Sequence, residues 1–331
     1  MAVDLNKLFS DISKLKVAVI GDVMLDTYWW GTVDRISPEG PVPVVAVTKK
    51  ELRIGGAGNV ALNVSCLDTK VTLLTVLGKD EDGEKLKSLL HENNIDASLI
   101  LSSKQRITSN KIRIIGRNQQ MMRLDAEVTN DLEVADQESF ISQVENYIES
   151  QKPDVIILQD YNKGVLTLPV IKRVIELCRE KNIVCTADPK RKNFFAYTGV
   201  TLFKPNLKEV KESLHILSDV VNDNILSDIH QQLKEKLRHS ISLITLSDKG
   251  VFYADEIGSK IIPSHLRNVA DVSGAGDTVI AVASLVFAVT KDIHLTAEIA
   301  NIAGGLVCEV VGTTAIGKKE LLEECKTLLN K

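Results

Sequence analysis

Between residues 154 and 248 the chain alternates short apolar, β-branched runs with helix-length segments. Asp154-Val155-Ile156-Ile157-Leu158 leads to Asp160, and Ile183-Val184-Cys185-Thr186-Ala187 leads to Asp188. Val200-Thr201-Leu202-Phe203 leads to Asn206, and Ser242-Leu243-Ile244-Thr245-Leu246 to Asp248. An earlier run, Val17-Ala18-Val19-Ile20, ends at Gly21-Asp22. Such runs are strands buried on both faces. The helices expected between them, near 134–149, 168–181 and up to 238, require right-handed crossovers. The fold class is therefore α/β, a doubly wound, mostly parallel sheet flanked by helices. Ligands bind beyond the strand C-termini of such sheets. The polar residues recurring there (Asp22, Asp160, Asp188, Asn206 and Asp248) mark one active-site edge, and Asp26 is a further candidate. A solvated loop acid is an equal reading of Asp26 by itself.

Residues 28–54 differ in character. They hold both tryptophans, Trp29 and Trp30, and Pro38, Pro41 and Pro43. Short strands carrying prolines read as edge or flap strands. Two more extended runs, Thr108 to Ile115 and Gln119 to Asp125, flank Gly116-Arg117-Asn118 as in a hairpin. Together they make a small β-sheet lid, with strands within 28–54 and 107–127, on a single domain spanning 1–331. Elsewhere the pattern predicts a helix over 4–15, a hairpin from Val251 to Pro263, a helix near 294–310 containing Asn301, and a terminal amphipathic helix.

The net charge of −4 on 331 residues gives no electrostatic footprint for nucleic acid. No apolar run reaches membrane-spanning length, so no membrane partner is expected. The N-terminus lacks a signal-peptide pattern. The five cysteines are scattered without metal-finger spacing, which suits reduced thiols in a cytoplasmic protein.

Asp271-Val272-Ser273-Gly274-Ala275-Gly276-Asp277-Thr278 precedes the apolar run Val279 to Phe287, which reads as a buried helix. Glycines before a helix leave free N–H groups that, with the helix dipole, favour an anion. An acid in that positive turn is unusual. One reading is that the turn holds a transferring phosphoryl group and Asp277 orients the attacking hydroxyl. The other is an ordinary N-cap. Upstream, Gly55-Gly56-Ala57-Gly58-Asn59 leads into a helix at Val60 to Val64. It fails as a dinucleotide fingerprint because Lys49 to Ile54 is not a clean buried strand and the full glycine pattern is missing. A polyol could approach these glycines, with Asn59 bonding its hydroxyls. Gly78 to Gly83 lacks the Gly-Lys-Ser/Thr of a Walker loop.

These residues resemble the ribokinase-like sugar kinases, the PfkB carbohydrate kinases, over nearly the whole chain. Two separated signatures carry the resemblance. One is Gly55-Gly56-Ala57-Gly58-Asn59 with Gly78-x-Asp80-x-x-Gly83, and the other is Asp271 to Asp277; Asn206-x-x-Glu209 lies between them. The stretches Gly21 to Gly31, Arg35 to Val44 and Arg117 to Asp125 look like the heptose 7-phosphate kinase branch. Many members of that branch carry a second, nucleotidyltransferase domain with a His-x-Gly-His-type motif. None of the six histidines here fits that motif, so the kinase part alone is expected.

The resemblance implies an ATP-dependent sugar kinase with Mg²⁺. The N–H groups of Gly274, Ala275 and Gly276 would hold the phosphoryl oxygens. Asp277 would be the base, kept ionised and weak by the helix turn. Asp26, Gly55, Gly56 and Asn59 would bind the sugar. Asn206 and Glu209 would act on phosphates and on Mg²⁺, partly through water; an Asn N-cap with a first-turn Glu is the plainer reading of this pair. Thr245, Ser247 and Gly250 match the nucleotide loop, with Ser247 in place of a usual glycine, and Asn301 lies near adenine. Arg35, Arg123, Lys163 and Lys190 are candidates for a second sugar phosphate, Arg123 foremost, while Lys190 is also a candidate for ATP phosphate. A homodimer through the lid strands is expected, because Trp29 and Trp30 would otherwise be exposed. Alternatives are a PfkB-family kinase for another sugar, sugar phosphate or nucleoside, and a sugar-sensing binding protein.

Overall fold

Alternate residues of the central strands divide between two apolar cores, as a period of two requires when helices cover both faces. The computed structural model describes residues 4–117, 119–217 and 222–329. In chain order the first elements are α1 (Leu5–Ile12), β1 (Lys16–Gly21), β2 (Val23–Ile36), β3 (Pro43–Gly56), α2 (Ala57–Cys66) and β4 (Lys70–Gly78). They are followed by α3 (Glu81–Glu92), β5 (Ile100–Ser103), β6 (Asn110–Gly116), β7 (Gln119–Ala126), α4 (Val134–Gln151) and β8 (Val155–Gln159). Next come α5 (Leu168–Lys181), β9 (Val184–Asp188), β10 (Leu202–Phe203), α6 (Leu207–Leu214), α7 (Asp223–Leu237) and β11 (Ile241–Thr245). The chain ends with β12 (Val251–Ala254), β13 (Ser259–Ile262), α8 (Ala275–Thr290), α9 (Ile293–Val307) and α10 (Lys318–Leu329). Val17 and Val19 of β1 pack into the core with α1, α2, α8 and α9. Ala18 and Ile20 pack into the core with α4, α5 and α7.

The main sheet has the order β13-β12-β11-β10-β9-β8-β1-β4-β5. Neighbours from β11 through β5 are parallel, and β12 and β13 add an antiparallel edge. β1 lies between β8 and β4, where the strand order reverses. The crevice at the C-terminal ends of β1 and β8 is thus the topological switch point, where such sheets bind ligands.

The second sheet has the order β3-β2-β6-β7. β2 and β3 are each 14 residues long, not the short flap strands expected. A single residue, Asp22, separates β1 from β2, so the chain runs from one sheet into the other without a loop. Lys49 to Ile54 belongs to β3; its charged, mixed pattern concealed it because the strand enters the core only at its end, with Leu52 packed against it and Ile54 inside it. Gly55 and Gly56 close β3, and α2 begins at Ala57, so Gly58 and Asn59 lie inside the helix. Gly56 has φ +63°, and a Cβ there would lie 2.4 Å from the Asp22 carbonyl oxygen. Of the expected hairpin turn, Asn118 lies outside the described residues.

Candidate active site

Asp277 sits in the first turn of α8, at the mouth of the switch-point crevice, and is buried. Three donors converge on its carboxylate. Asn59 Nδ2 donates to Oδ2 at 2.8 Å, and Gln159 Nε2 and the Tyr161 hydroxyl donate to Oδ1 at 3.1 and 2.7 Å. Burial nevertheless raises its pKa to about 6, against the lowering pull of Asn59 and Tyr161. This corrects the expectation of a weak base held down by the helix turn: desolvation of the charged form outweighs the dipole and the hydrogen bonds.

Of the three N–H groups expected to hold the phosphoryl oxygens, that of Ala275 donates to the Val272 carbonyl at 3.3 Å, because the chain turns tightly into α8. Gly274 has φ +84°, and a Cβ there would press on Asn59 Nδ2 at 2.9 Å. At Gly276 an added Cβ would meet nothing nearer than Lys204 Nζ at 3.7 Å, so the backbone faces open space. Two cations border that space. Lys204 is buried and pairs with Asp188 at 2.9 Å. Lys190 pairs with Glu209 at 2.5 Å. Burial works against the Lys190 charge, but Asp188 and Glu209 raise its pKa overall. Gln159 Nε2 also donates to Asp188 Oδ2 at 3.2 Å, so one amide bridges the two carboxylates.

Three buried acceptors here have no partner: Asn59 Oδ1, Gln159 Oε1 and Asp188 Oδ1. Such atoms carry a desolvation cost unless something donates to them. They belong to the side chains that surround Asp277, so the site is built to receive donors. Beside it, on β2, Asp26 is buried and accepts from Arg113 at 2.5 Å and from the Thr313 hydroxyl at 3.2 Å.

Residues 14–320 match the model of the pfkB family carbohydrate kinases. The chain belongs to the PfkB carbohydrate kinase family. It is a sugar kinase with the ribokinase-like fold. The bifunctional protein HldE of Aliarcobacter butzleri is 40% identical over 312 residues, covering 94% of this chain and 64% of that protein. HldE of Sulfurimonas denitrificans is 37% identical over 317 residues, covering 96% of this chain and 65% of that protein. The chain thus spans just under two-thirds of these relatives' length. Among solved structures, Escherichia coli phosphofructokinase-2 in complex with potassium superposes with a TM-score of 0.79 at 18% identity, covering 95% of this chain and 99% of that one. Arabidopsis thaliana ribokinase complexed with ribose and ATP gives 0.74 at 15% identity, again covering 95% and 99%. At these identities the superpositions speak for the fold.

In this PfkB chain the two halves of the glycine signature meet in space, since Asn59 bonds Asp277 directly. Gly55 and Gly56 lie under Met24, Asp22 and Asp26. Asn206 and Glu209 form a reciprocal capping box on α6, each side chain accepting the other's N–H at 2.8 Å. The plain reading of that pair holds, and Glu209 reaches Lys190 as well. Thr245 pairs with Asn206 in an isolated bridge. Ser247 has φ +60° and Gly250 φ +95°, which accounts for glycine being usual at the Ser247 position. Asn301 donates to the Pro263 carbonyl at 2.8 Å.

Several expected site residues serve the fold. Asp22 accepts the N–H groups of Tyr161, Lys163 and Val165. Asp160 accepts from the Asn162 N–H and the Tyr197 hydroxyl, and its pKa rises to about 6 through burial and then Asp22. Asp248 and Arg35 are exposed. Lys163 pairs with Glu127 at 2.5 Å. Arg123 does not nestle among its apolar neighbours; β7 is exposed throughout, and Arg123 pairs with Asp125. Trp29 and Trp30 are partly covered, by Lys50 and by stacking on Tyr28. The exposed apolar residues of the lid include Met121, Met122 and Leu124 instead. Sequence reasoning missed Gln159, Tyr161, Lys204, Arg113 and Thr313. Gln159 and Tyr161 flank Asp160, so the strand-end rule already pointed at their location.

Proposed function

We propose that the chain is an ATP-dependent kinase for D-glycero-β-D-manno-heptose 7-phosphate. It phosphorylates the anomeric O1 to give the 1,7-bisphosphate, a precursor of the ADP-heptose of lipopolysaccharide core. The observation that carries a polyol acceptor is the set of unpartnered oxygens of Asn59, Gln159 and Asp188 around Asp277. The heptose assignment is supported by the resemblance in residues 21–44 and 117–125 and by the likeness to bifunctional HldE proteins.

In this reading Asp26 and Asn59 bond sugar hydroxyls and aim O1 at the γ-phosphorus. O1 attacks, the bond to the β–γ bridging oxygen breaks, and ADP leaves. The O1 proton passes to Asp277, whose pKa near 6 leaves it ionised at neutral pH. A loose transition state asks mainly for position and charge. The N–H groups of Gly274 and Gly276 donate to phosphoryl oxygens, with Lys190 and Lys204 beside them, while the Ala275 N–H is bonded to the Val272 carbonyl. Among the described residues no cluster of three or more His, Cys, Asp or Glu could hold a metal ion. That fits Mg²⁺ bound chiefly by phosphates and water. Glu209 would hold it through water, and the ion would neutralise phosphate charge. Among the described residues no helix is long and apolar enough to cross a membrane, and a cytoplasmic location suits the substrates. Two copies would join through the lid, covering Met122 and Leu124; a monomer by light scattering at micromolar concentration would remove that part.

The test is ATP consumption over a panel of sugars and sugar phosphates with Mg²⁺, the product position being read by phosphorus NMR. Turnover of the heptose 7-phosphate with a new signal at O1 is the expected result. Strong turnover of ribose or adenosine, with none of the heptose phosphate, sinks the assignment.

A further inference from the structure

We propose that Asn63 and Thr278 are positioning residues for the phosphoryl transfer, their mutual hydrogen bond holding α2 in register with the first turn of α8. The proposal rests on the reading of Asp277 as the base and adds what keeps that base and its partner Asn59 in place.

The two helices pack directly on each other in one apolar core, with Val60, Val64, Val279 and Val282 among its members. α2 buries two polar side chains, Asn59 and Asn63, and α8 buries three, Asp277, Thr278 and Ser284. Asn59 and Asp277 face the reaction. Ser284 bonds Thr186 of β9 and the Ile280 carbonyl. Asn63 and Thr278 remain. One lies a helical turn after Asn59, the other next to Asp277.

Their bonds form a closed ring. The Thr278 hydroxyl donates to Asn63 Oδ1 at 2.9 Å, and Asn63 Nδ2 donates to the Asn59 carbonyl at 2.9 Å. Asn59 Nδ2 donates to Asp277 Oδ2 at 2.8 Å, and the backbone of α8 joins Asp277 to Thr278. Asn59 is thus gripped at both ends, at its carbonyl by Asn63 and at its amide nitrogen by Asp277. That leaves the unpartnered Oδ1 as its acceptor for a sugar hydroxyl. The ring also reaches the phosphoryl side. The Thr278 N–H donates to the Gly274 carbonyl at 3.0 Å, and the Thr278 hydroxyl lies 3.3 Å from the same oxygen.

Stability does not demand this pair. A buried hydrogen-bonded pair is close to neutral against an apolar pair of the same shape. What a directional bond supplies is a single register, whereas apolar faces slide at little cost. α2 carries the sugar side of the site, and α8 carries the base and the phosphoryl side. Their register therefore sets how the acceptor hydroxyl meets the phosphoryl group. A misplacement of about 1 Å there costs on the order of 10²-fold in rate.

The experiment uses the full chain with MgATP and the heptose 7-phosphate, or the acceptor that the wild type turns over fastest in the panel. Asn63→Leu and Thr278→Val are made singly and together, with Thr278→Ser as the conservative variant. Each single change strands a polar partner and should lower Tm. The double variant leaves two apolar side chains and should melt within about 3 °C of wild type. Its kcat should nevertheless stay about 10–100-fold down, with KM for ATP within about threefold, and Thr278→Ser should recover most of the rate. Loosening Asn59 weakens a donor that favours the ionised carboxylate. The acid limb of the double variant should therefore move up from about pH 6, by about half a unit to one unit. Tyr161, Asp188 and Lys204, the other titratable groups acting on Asp277, are unaltered. Thermal melts read the same shift without substrate. Stability should keep falling with rising pH to a correspondingly higher pH before it levels, and the shift should vanish in an Asp277→Asn background. A folded double variant whose rate recovers with its stability, or whose rate is lost with the limb unmoved, overturns the proposal alone. If the double variant does not fold, Thr278→Val, which deletes only the hydroxyl, is read on rate and limb in the same way. A rate above about a tenth of wild type in Asp277→Asn overturns the base reading, and this proposal with it.

Discussion

Replacing Asp277 with asparagine should stop turnover and stabilise the fold, and the stabilisation should depend on pH. The folded carboxyl titrates near 6, about two units above its ordinary value of 3.8. At about 1.4 kcal/mol per unit, holding it ionised costs roughly 3 kcal/mol at pH 8. The group is fully inside the protein, so solvent does not screen that cost. Asparagine removes the charge but presents one acceptor and one donor end to Asn59, Gln159 and Tyr161. One of their bonds is lost, at about 1–2 kcal/mol. The variant should therefore be more stable than wild type by about 1–2 kcal/mol at pH 8. Between pH 4 and 6 the native state keeps a proton that the unfolded chain has lost, so wild-type stability falls as pH rises through this window. The variant has no such group. The difference between the two should swing by about 3 kcal/mol from pH 4 to pH 8 and be flat above pH 7. Thermal melts at five pH values would read this as a swing of roughly 5 °C in relative Tm. Turnover should fall by ~10²–10⁴-fold, with nucleotide binding retained. A stability offset independent of pH would refute the buried-base argument. So would a rate above about a tenth of wild type.

Wild-type kcat/KM should be level above pH 7 and fall tenfold per unit below about pH 6, as Asp277 takes up its proton. Tyr161→Phe removes a donor that favours the ionised carboxylate, so a pH–rate profile should show the acid limb moved upward. Gly274→Ala forces a side chain into the left-handed region and against Asn59 Nδ2; chemical denaturation should show a loss of about 1–2 kcal/mol, with a larger loss of activity. Ser247→Gly relieves a positive φ, and the same measurement should show a gain on the order of 1 kcal/mol.

The main sheet was legible because its strands are buried on both faces. Val155 to Leu158 is apolar throughout and Val184 to Ala187 is buried on both faces with Thr186 bonded to Ser284, and helical lengths between them fix parallel order. In the lid the β6–β7 hairpin was legible, whereas β2 and β3 were legible only as a region. Arg53, Glu51 and Lys49 in β3 carry alternating charges that no core demanded, so the strand's length did not register. Within the site, Asp277 and Asn59 could be matched to a pattern, but the pKa of Asp277 could not. It depends on how completely α8, α2 and β8 exclude water, a property of packing. The strand-end acids show the converse error. Asp22 and Asp160 stand where ligands bind, yet the loop between residues 160 and 165 consumes their acceptors, and local sequence carries no sign of that loop's path.

Asp22 is also where the two sheets are joined, and this has a mechanical consequence. Its carbonyl accepts the Ala57 N–H and crowds Gly56, so the outgoing strand β2 and the returning strand β3 are pinned at a common root. Asp26 lies on the cantilevered side of that root, and Asn59 and Asp277 on the anchored side. Beyond that root the sheet is stitched to the loop after α9 as well, since Asp26 accepts from the Thr313 hydroxyl and Arg53 donates to the Val311 and Thr313 carbonyls. The base of the lid is thus held at two places, at Asp22 and at residues 311–313, and Asp26 lies between them.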